Sequence, residues 1–103
     1  MKNEVFIILH NIRSLYNVGS VFRTADGAGA AKIFLTGYTP APIDDFGRKR
    51  KEISKTALGA EESVEWEKVK DIGKLIEKLK KEGARIVAVE LAEEAINYKE
   101  FKP

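Results

Sequence analysis

The sequence contains no cysteine and only one histidine, one methionine and one tryptophan among its 103 residues. Without cysteine, neither disulfide bonds nor thiolate metal sites can form. The adjacent loop carboxylates Asp44 and Asp45 lack further ligands nearby, so we predict no metal site. A chain without disulfides suits a reducing compartment, and we therefore expect it in the cytoplasm.

Long hydrophobic runs are also missing. Residues 5–9 form a run of five apolar residues, which is too short for a signal-peptide core or a membrane span. Apolar residues make up 44% and charged residues 33% of the chain, a balance typical of a folded protein. We expect one domain over residues 1–103 and no contact with a membrane.

The charge is unevenly distributed along the chain. Residues 1–60 hold nine lysines and arginines against five acidic residues, whereas residues 61–103 hold nine against eleven. A basic first half suggests an anionic partner such as RNA. An ordinary solvated surface would explain so small an imbalance equally well.

The first half of the chain alternates strand and helix patterns. The continuous apolar run at 5–9 predicts a strand buried on both faces. A helix is predicted over 15–28, because Val18, Val21, Phe22 and Ala25 recur at helical spacing. Residues 33–35 predict a second buried strand, and two prolines predict a loop over 39–46.

In the second half, residues 48–58 fit either a short basic helix or an ordered loop, and 64–66 a brief strand. Helical periodicity predicts a helix over 71–82, and residues 86–91 predict a third long strand. Residues 92–103 look like a polar connector. This alternation predicts an α/β fold with a mainly parallel sheet and flanking helices.

The first predicted helix has a polar face as well as an apolar one. At about 100° per residue, Asn17, Ser20 and Thr24 lie close together around the helix, with Arg23 beside Ser20. This face starts at the carboxyl end of the first strand, where open α/β sheets bind ligands. The plainer interpretation is that Asn17 caps the helix and Arg23 is a solvated surface residue.

Residues 11–29 read Asn-Ile-Arg-Ser-Leu-Tyr-Asn-Val-Gly-Ser-Val-Phe-Arg-Thr-Ala-Asp-Gly-Ala-Gly and closely resemble the first motif of the SpoU family in the SPOUT superfamily. Segments 33–37, 55–61 and 86–90 continue the similarity. The resemblance implies the Rossmann-like half of a trefoil-knot methyltransferase. The later family motifs, which close the knot and bind most of the cofactor, do not occur within these 103 residues. We therefore expect the knot region to be absent and the chain to be truncated or a fragment.

Members of that family transfer a methyl group from S-adenosylmethionine to a ribose 2′-hydroxyl of tRNA or rRNA and work as homodimers. By resemblance, Arg23 matches the catalytic arginine and Asn17 the motif asparagine. Arginine is a poor base because its guanidinium holds its proton very tightly. We expect Arg23 to hold an adjacent phosphate and stabilise the developing alkoxide, and Asn17 to orient Arg23 or the ribose. The fragment alone is expected to be inactive.

Further contacts can be assigned by residue type. Basic side chains bind phosphate without reading sequence, and Ser20 shares the polar helix face. We predict RNA contacts for Arg13, Ser20, Arg48, Lys49, Arg50 and Lys51. Glu90 and Leu91, at the end of the third long strand, are the residues predicted to touch the cofactor.

Two other functions are compatible with parts of this pattern. A non-catalytic RNA-binding module would keep the basic face and lack the cofactor site. A flavodoxin-like signalling receiver would require acidic residues just after the first strand, where His10 and Asn11 stand instead.

Overall fold

The computed structural model describes residues 4–92 and 95–101, with side chains described as far as Glu90. In chain order, the elements are β1 (Val5–His10), α1 (Leu15–Ala28), β2 (Lys32–Thr36), α2 (Lys51–Ala57), α3 (Ala60–Ser63), β3 (Trp66–Val69), α4 (Ile72–Lys81), β4 (Arg85–Ala92) and β5 (Ala95–Phe101). The region 48–58, for which two alternatives were open, thus contains a short helix.

The described strands form one sheet in the order β3-β2-β1-β4-β5. The first four run parallel, and β5 pairs antiparallel with β4. In this register Leu9 of β1 lies between Leu35 of β2 and Val89 of β4. The predicted α/β fold with a mainly parallel sheet is confirmed.

The central strands are buried on both faces. Alternate residues of a strand point to opposite sides, so Ile7 and Leu9 pack with α1 and α2, while Phe6 and Ile8 pack with α4. Burying each large apolar side chain contributes roughly 1.5–3 kcal/mol. This two-sided burial explains why β1 reads as an uninterrupted apolar run in the sequence.

The predicted connector over residues 92–103 is wrong. Residues 95–101 form β5, which pairs with β4 from Ala92 opposite Ala95 to Ile86 opposite Phe101. An antiparallel strand needs no continuous apolar run of the kind that parallel strands buried on both faces show, and the mixed polar sequence therefore concealed it. The brief strand predicted at 64–66 lies instead at Trp66–Val69, since Val64 is the C-cap of α3 and its amide donates to the Ala60 carbonyl oxygen.

Two features are absent from residues 4–92 and 95–101. No helix there is long and apolar enough to cross a membrane. In the same part of the chain, no group of three or more histidine or acidic side chains is placed to hold a metal ion.

Candidate active site

A buried polar network fixes the carboxyl ends of β1 and β2. The fully buried Thr39 hydroxyl donates to the Leu9 carbonyl oxygen at 2.9 Å and accepts from the Ile12 amide at 3.0 Å. His10 Nδ1 lies 2.9 Å from the hydroxyl of Thr36, also fully buried. Pairing these buried groups avoids the cost of leaving them without partners. The network determines where the chain leaves β1 towards α1.

Asn11 makes the turn out of β1. Its backbone is left-handed, with φ of 54°, a conformation that asparagine tolerates better than most residues. Its Oδ1 accepts from the Tyr38 amide at 3.1 Å, and its Nδ2 lies 3.3 Å from His10 Nε2. At Gly37, where φ is 63°, a Cβ would overlap the Asn11 side chain. His10 is therefore hydrogen-bonded on both ring nitrogens, as a structural histidine would be.

The helix that carries the candidate catalytic residues begins at Ser14. The Ser14 hydroxyl accepts from the Asn17 amide at 3.1 Å, and the helix ends at Gly29 with φ of 74°. Ser14 is therefore the N-cap, and the interpretation of Asn17 as the cap is wrong. Asn17 itself is half-buried in the first turn.

Helix α2 crosses α1 at Gly19. A Cβ there would overlap the Thr56 hydroxyl and the Ile53 carbonyl oxygen, so only glycine permits this separation. The Thr56 hydroxyl also donates to the Tyr16 carbonyl oxygen at 2.9 Å. Together, the close approach and the hydrogen bond place α2 beside the polar face of α1.

A depression of about 480 Å³ opens between the two helices. It is lined by Ser20, Arg23, Thr24, Lys55, Thr56 and Leu58. Among the described lining residues there are two cations, three hydroxyl groups and no carboxylate. Such a set suits an anionic ligand that also offers hydroxyl groups, such as a sugar phosphate.

The structure brings together only some of the residues predicted for the site. Ser20 and Arg23 share the depression, whereas Asn17 does not line it. A direct orienting contact from Asn17 to Arg23 is not found among the described hydrogen bonds, and the role of Asn17 stays a prediction. Lys55 and Thr56 were missed as site residues, although they begin the segment 55–61 that resembles the family pattern.

The basic run 48–51 is not a single cluster. Arg48 pairs with Asp44 at 3.2 Å and lies over the Phe46 ring, 5.1 Å from its centroid. Lys49 pairs with Glu62. The remaining two residues differ in exposure. Arg50 is half-buried and its Nε donates to the Ala41 carbonyl oxygen at 2.9 Å, whereas Lys51 is exposed at the start of α2.

These contacts also change the ionisation of the acidic partners. The Arg48 backbone amide, helped by its guanidinium, holds the pKa of Asp44 below its usual value. A hydrogen bond from Lys49 lowers the pKa of Glu62, and the same contact raises the pKa of Lys49. Three of the four basic residues thus bind parts of the protein itself, and the RNA contacts assigned to the run stay predictions.

A second depression, of about 510 Å³, adjoins the first and is lined by Arg13, Leu15, Tyr16, Glu52 and Lys55. Arg13 is exposed, and its guanidinium lies 5.1 Å from the centre of the Tyr38 ring. Arg13 therefore lies close to the candidate site, and its contact with RNA stays a prediction.

The residues predicted to touch the cofactor lie in β4. Val89 pairs with Leu9, which places the half-buried Glu90 at the same sheet edge as His10. The side chain of Leu91 lies outside the described residues. Their contact with a cofactor stays a prediction.

The amino-acid sequence matches known proteins over most of its length. Residues 4–103 match the family model described as the SpoU rRNA Methylase family. The chain is 29% identical over 94 residues to the 23S rRNA (guanosine-2′-O-)-methyltransferase RlmB of Neisseria meningitidis. That alignment covers 91% of this chain and 35% of the relative.

Solved structures show the same likeness. An rRNA methyltransferase from Sinorhizobium meliloti, solved with AdoMet bound, matches at 26% identity and a TM-score of 0.60, over 76% of this chain and 28% of that one. An RNA 2′-O ribose methyltransferase matches at a TM-score of 0.60 with 16% identity, over 77% of this chain and 28% of that one, which supports the fold alone. The chain thus spans about a third of the length of these proteins. Because the family model covers nearly the whole sequence, the chain belongs to the SpoU rRNA methylase family.

Proposed function

We propose that the intact protein transfers a methyl group from S-adenosylmethionine to a ribose 2′-hydroxyl of RNA, and that this chain provides the half of the site that holds the RNA. The observation that carries the proposal is the exposed Arg23 in a depression shared with Ser20 and Lys55. The names of the relatives, which include an rRNA methyltransferase with AdoMet bound, support both the reaction and the donor.

The depression suits the acceptor better than the donor. S-adenosylmethionine carries a positively charged sulfonium, and the two cations Arg23 and Lys55 would oppose it at close range. An RNA phosphate would be attracted by both. We therefore place the ribose and its phosphate here.

The donor supplies an activated methyl group when it is bound. Among the described residues, Glu90 has the charge that suits a sulfonium, and its place at the carboxyl edge of the sheet suits a ligand. Glu90 and Leu91 remain the residues that we propose touch the donor. Most of its contacts would come from the part of the relatives that this chain does not match.

Arg23 is proposed as the catalytic residue. A guanidinium is a poor proton acceptor, so we do not assign Arg23 the role of a base towards the 2′-hydroxyl. It can hold the adjacent phosphate in two-point contact and stabilise negative charge on the 2′-oxygen as the methyl group approaches. A phosphate oxygen or water would receive the proton.

The proposal is tested by methyl transfer from tritiated S-adenosylmethionine to unmodified 23S rRNA and tRNA transcripts. The 103-residue chain and the longest product of its gene are assayed side by side. We expect Arg23→Ala to lower the rate by about 10²–10³-fold, as does removal of other groups that stabilise an oxyanion. Arg23→Lys should recover little, because a lysine cannot make the two-point contact.

The control is Lys70→Ala, which removes an exposed cation beyond the end of β3 and should leave the rate unchanged. Near-normal turnover by Arg23→Ala would remove Arg23 from catalysis. Sedimentation of the same protein samples measures whether the active species is the homodimer that the family resemblance implies.

A non-catalytic RNA-binding module is the second candidate. It is favoured by one observation, that the depression at Arg23 offers two cations and three hydroxyl groups, which suit RNA binding with or without a reaction. This candidate requires that the longest gene product binds RNA without any methyl transfer. Transfer that depends on Arg23 would exclude it.

A further inference from the structure

Lys55 stands where three depressions on the α1 and α2 side meet. It lines the one that contains Arg23, the one that contains Tyr16 and a third of about 630 Å³ with Lys49, Lys51, Ser54 and Glu61. Lys55 is exposed in the last turn of α2. Within the described part of the chain it has no ion-pair partner, in contrast to Lys49, which binds Glu62. Its ammonium group is therefore available to a ligand.

The position of Lys55 is fixed by its neighbours. Thr56, the next residue, donates its hydroxyl to the Tyr16 carbonyl oxygen, and α2 is held against Gly19. Lys55 thus stays between Arg23 on one side and Tyr16 on the other. Because a fixed backbone leaves less freedom to lose on binding, this geometry favours a defined contact.

The two depressions beside Lys55 differ in chemistry. The first offers hydroxyl groups and the Arg23 guanidinium, which suit a ribose and a phosphate. The second is lined by Leu15 and Tyr16 and, besides Lys55, by the charged side chains of Glu52 and Arg13. A carboxylate repels phosphate but accepts hydrogen bonds from the amino groups of a base. Tyr16 is 57% exposed, so its side chain is open to contact by a base.

We propose that the surface formed by the two depressions beside Lys55 binds two consecutive unpaired nucleotides of RNA. The ribose and phosphate of one nucleotide lie at Arg23, and the base of its neighbour lies against Tyr16. The phosphate between the two nucleotides lies on Lys55. Arg13 and Tyr38 extend the same side with a second pairing of a cation and an aromatic ring. The inference rests on the proposed function for the choice of RNA as the ligand. It goes further by requiring a single-stranded target.

The requirement for unpaired RNA follows from geometry. In a duplex, each base is stacked on its neighbours and paired, so its face cannot reach a protein side chain. In a loop, bulge or single strand, a base can turn outward and stack on an aromatic ring. We therefore expect this surface to prefer a loop or single strand over a perfect duplex.

The test is the equilibrium binding of a fluorescein-labelled, unstructured RNA hexamer to the full chain, measured by anisotropy without any methyl donor. A blunt duplex of the same sequence is the comparison and should bind more weakly. Lys55→Ala should weaken binding of the hexamer by roughly 5-fold or more, and should lower the slope of log affinity against log salt by about 0.7, the value for one phosphate contact with a single strand. Lys70→Ala is the matched control and should retain nearly the full slope.

Stacking is tested separately at Tyr16. Tyr16→Ala should weaken binding by about 5-fold or more, and Tyr16→Phe should bind normally because the ring remains. Equal binding by Lys55→Ala and the parent chain would overturn the proposal, as would equal affinity for duplex and hexamer. A change of sedimentation in Lys55→Ala or Tyr16→Ala, with RNA affinity unaltered, would instead identify the surface as a contact between copies of the chain.

This experiment contains no donor, and its outcome is separate from that of the methyl-transfer assay. Failure of methyl transfer with intact binding would contradict the proposed reaction alone. Normal methyl transfer by Lys55→Ala and Tyr16→Ala, with unaltered affinity, would contradict the two-nucleotide surface alone.

Discussion

The two sides of the sheet are built differently. On the α4 side, one amphipathic helix covers Ile8, Phe34 and Ile86 with Leu75 and Leu79, and its other face is exposed and rich in lysine. On the opposite side, α1, α2 and α3 pack against the sheet and against one another. The α1–α2 crossing there depends on Gly19 and on the hydrogen bond from Thr56.

The proposed function is assigned to the α1 and α2 side of the sheet. The α4 side needs only apolar residues at helical spacing, and many exposed side chains there could change at little cost. The α1 and α2 side also has to form depressions lined by Arg23, Lys55 and Tyr16. It therefore depends on close packing between two segments of the chain.

The largest effect on stability is expected at Gly19, where α2 crosses α1. Gly19→Ala would place a methyl group on the Thr56 hydroxyl and the Ile53 carbonyl oxygen. We expect a loss of about 3 kcal/mol in the free energy of unfolding, at the upper end of typical overpacking. Urea denaturation followed by circular dichroism measures it.

Gly27→Ala is the matched control in the same helix, because a Cβ at residue 27 meets nothing within 4 Å. It should raise stability by up to about 1 kcal/mol, as alanine does in place of glycine in a helix. If the two variants have equal stability, the crossing is not as tight as described, and the contrast between the two sides of the sheet is lost.

The helix caps give a smaller effect and compare the sides directly. Ser14 caps α1 through the Asn17 amide, and Asp71 caps α4 through the Lys74 amide at 3.0 Å. Ser14→Ala and Asp71→Ala should each lower the free energy of unfolding by about 1 kcal/mol. Asp71→Asn keeps an acceptor and should lose less than Asp71→Ala.

Thermal unfolding of the three cap variants provides the measurement. If Ser14→Ala loses several times more unfolding free energy than Asp71→Ala, the start of α1 is coupled to the network at Thr36 and Thr39. Equal losses would show that each cap acts only on its own helix.

The smallest expected effect is the loss of stability at low pH. Backbone amides and the Arg48 guanidinium lower the pKa of Asp44, and Lys32 lowers the pKa of Glu67 on the other side of the molecule. Because both folded pKa values lie below the ordinary ones near about 4, each carboxylate contributes stability above that pH. The contribution is lost as the pH falls through the lower, folded values.

Urea midpoints at pH 7 and between pH 4 and pH 2 test this dependence. Asp44→Asn and Glu67→Gln should each reduce the fall in stability on acidification by a small amount, because both pairs are on the surface and screened by solvent. A variant that lowers stability equally at pH 7 and pH 2 would show that its carboxylate charge contributes nothing.

The elements with clear periodicity were predicted well from the sequence. Helix α1 and the buried strands β1 and β2 follow from apolar spacing alone. Strand β5 was missed because its pairing with β4 is a long-range property of the backbone, and its mixed composition resembles a loop. The basic run 48–51 showed why adjacent charges are not one site, since Asp44 and Glu62 each bind one member.

By itself, the sequence determined the class of fold and the family resemblance, because these depend on local periodicity and on residue types at fixed spacing. The resemblance in turn implied the proposed role of Arg23. Only the tertiary structure decided that Ser14 caps the helix, that Lys55 joins Arg23 across the α1–α2 crossing, and that Asn17 does not line their depression. Local patterns determine which face a residue occupies. Which residues meet depends on the packing of segments that are distant in the chain.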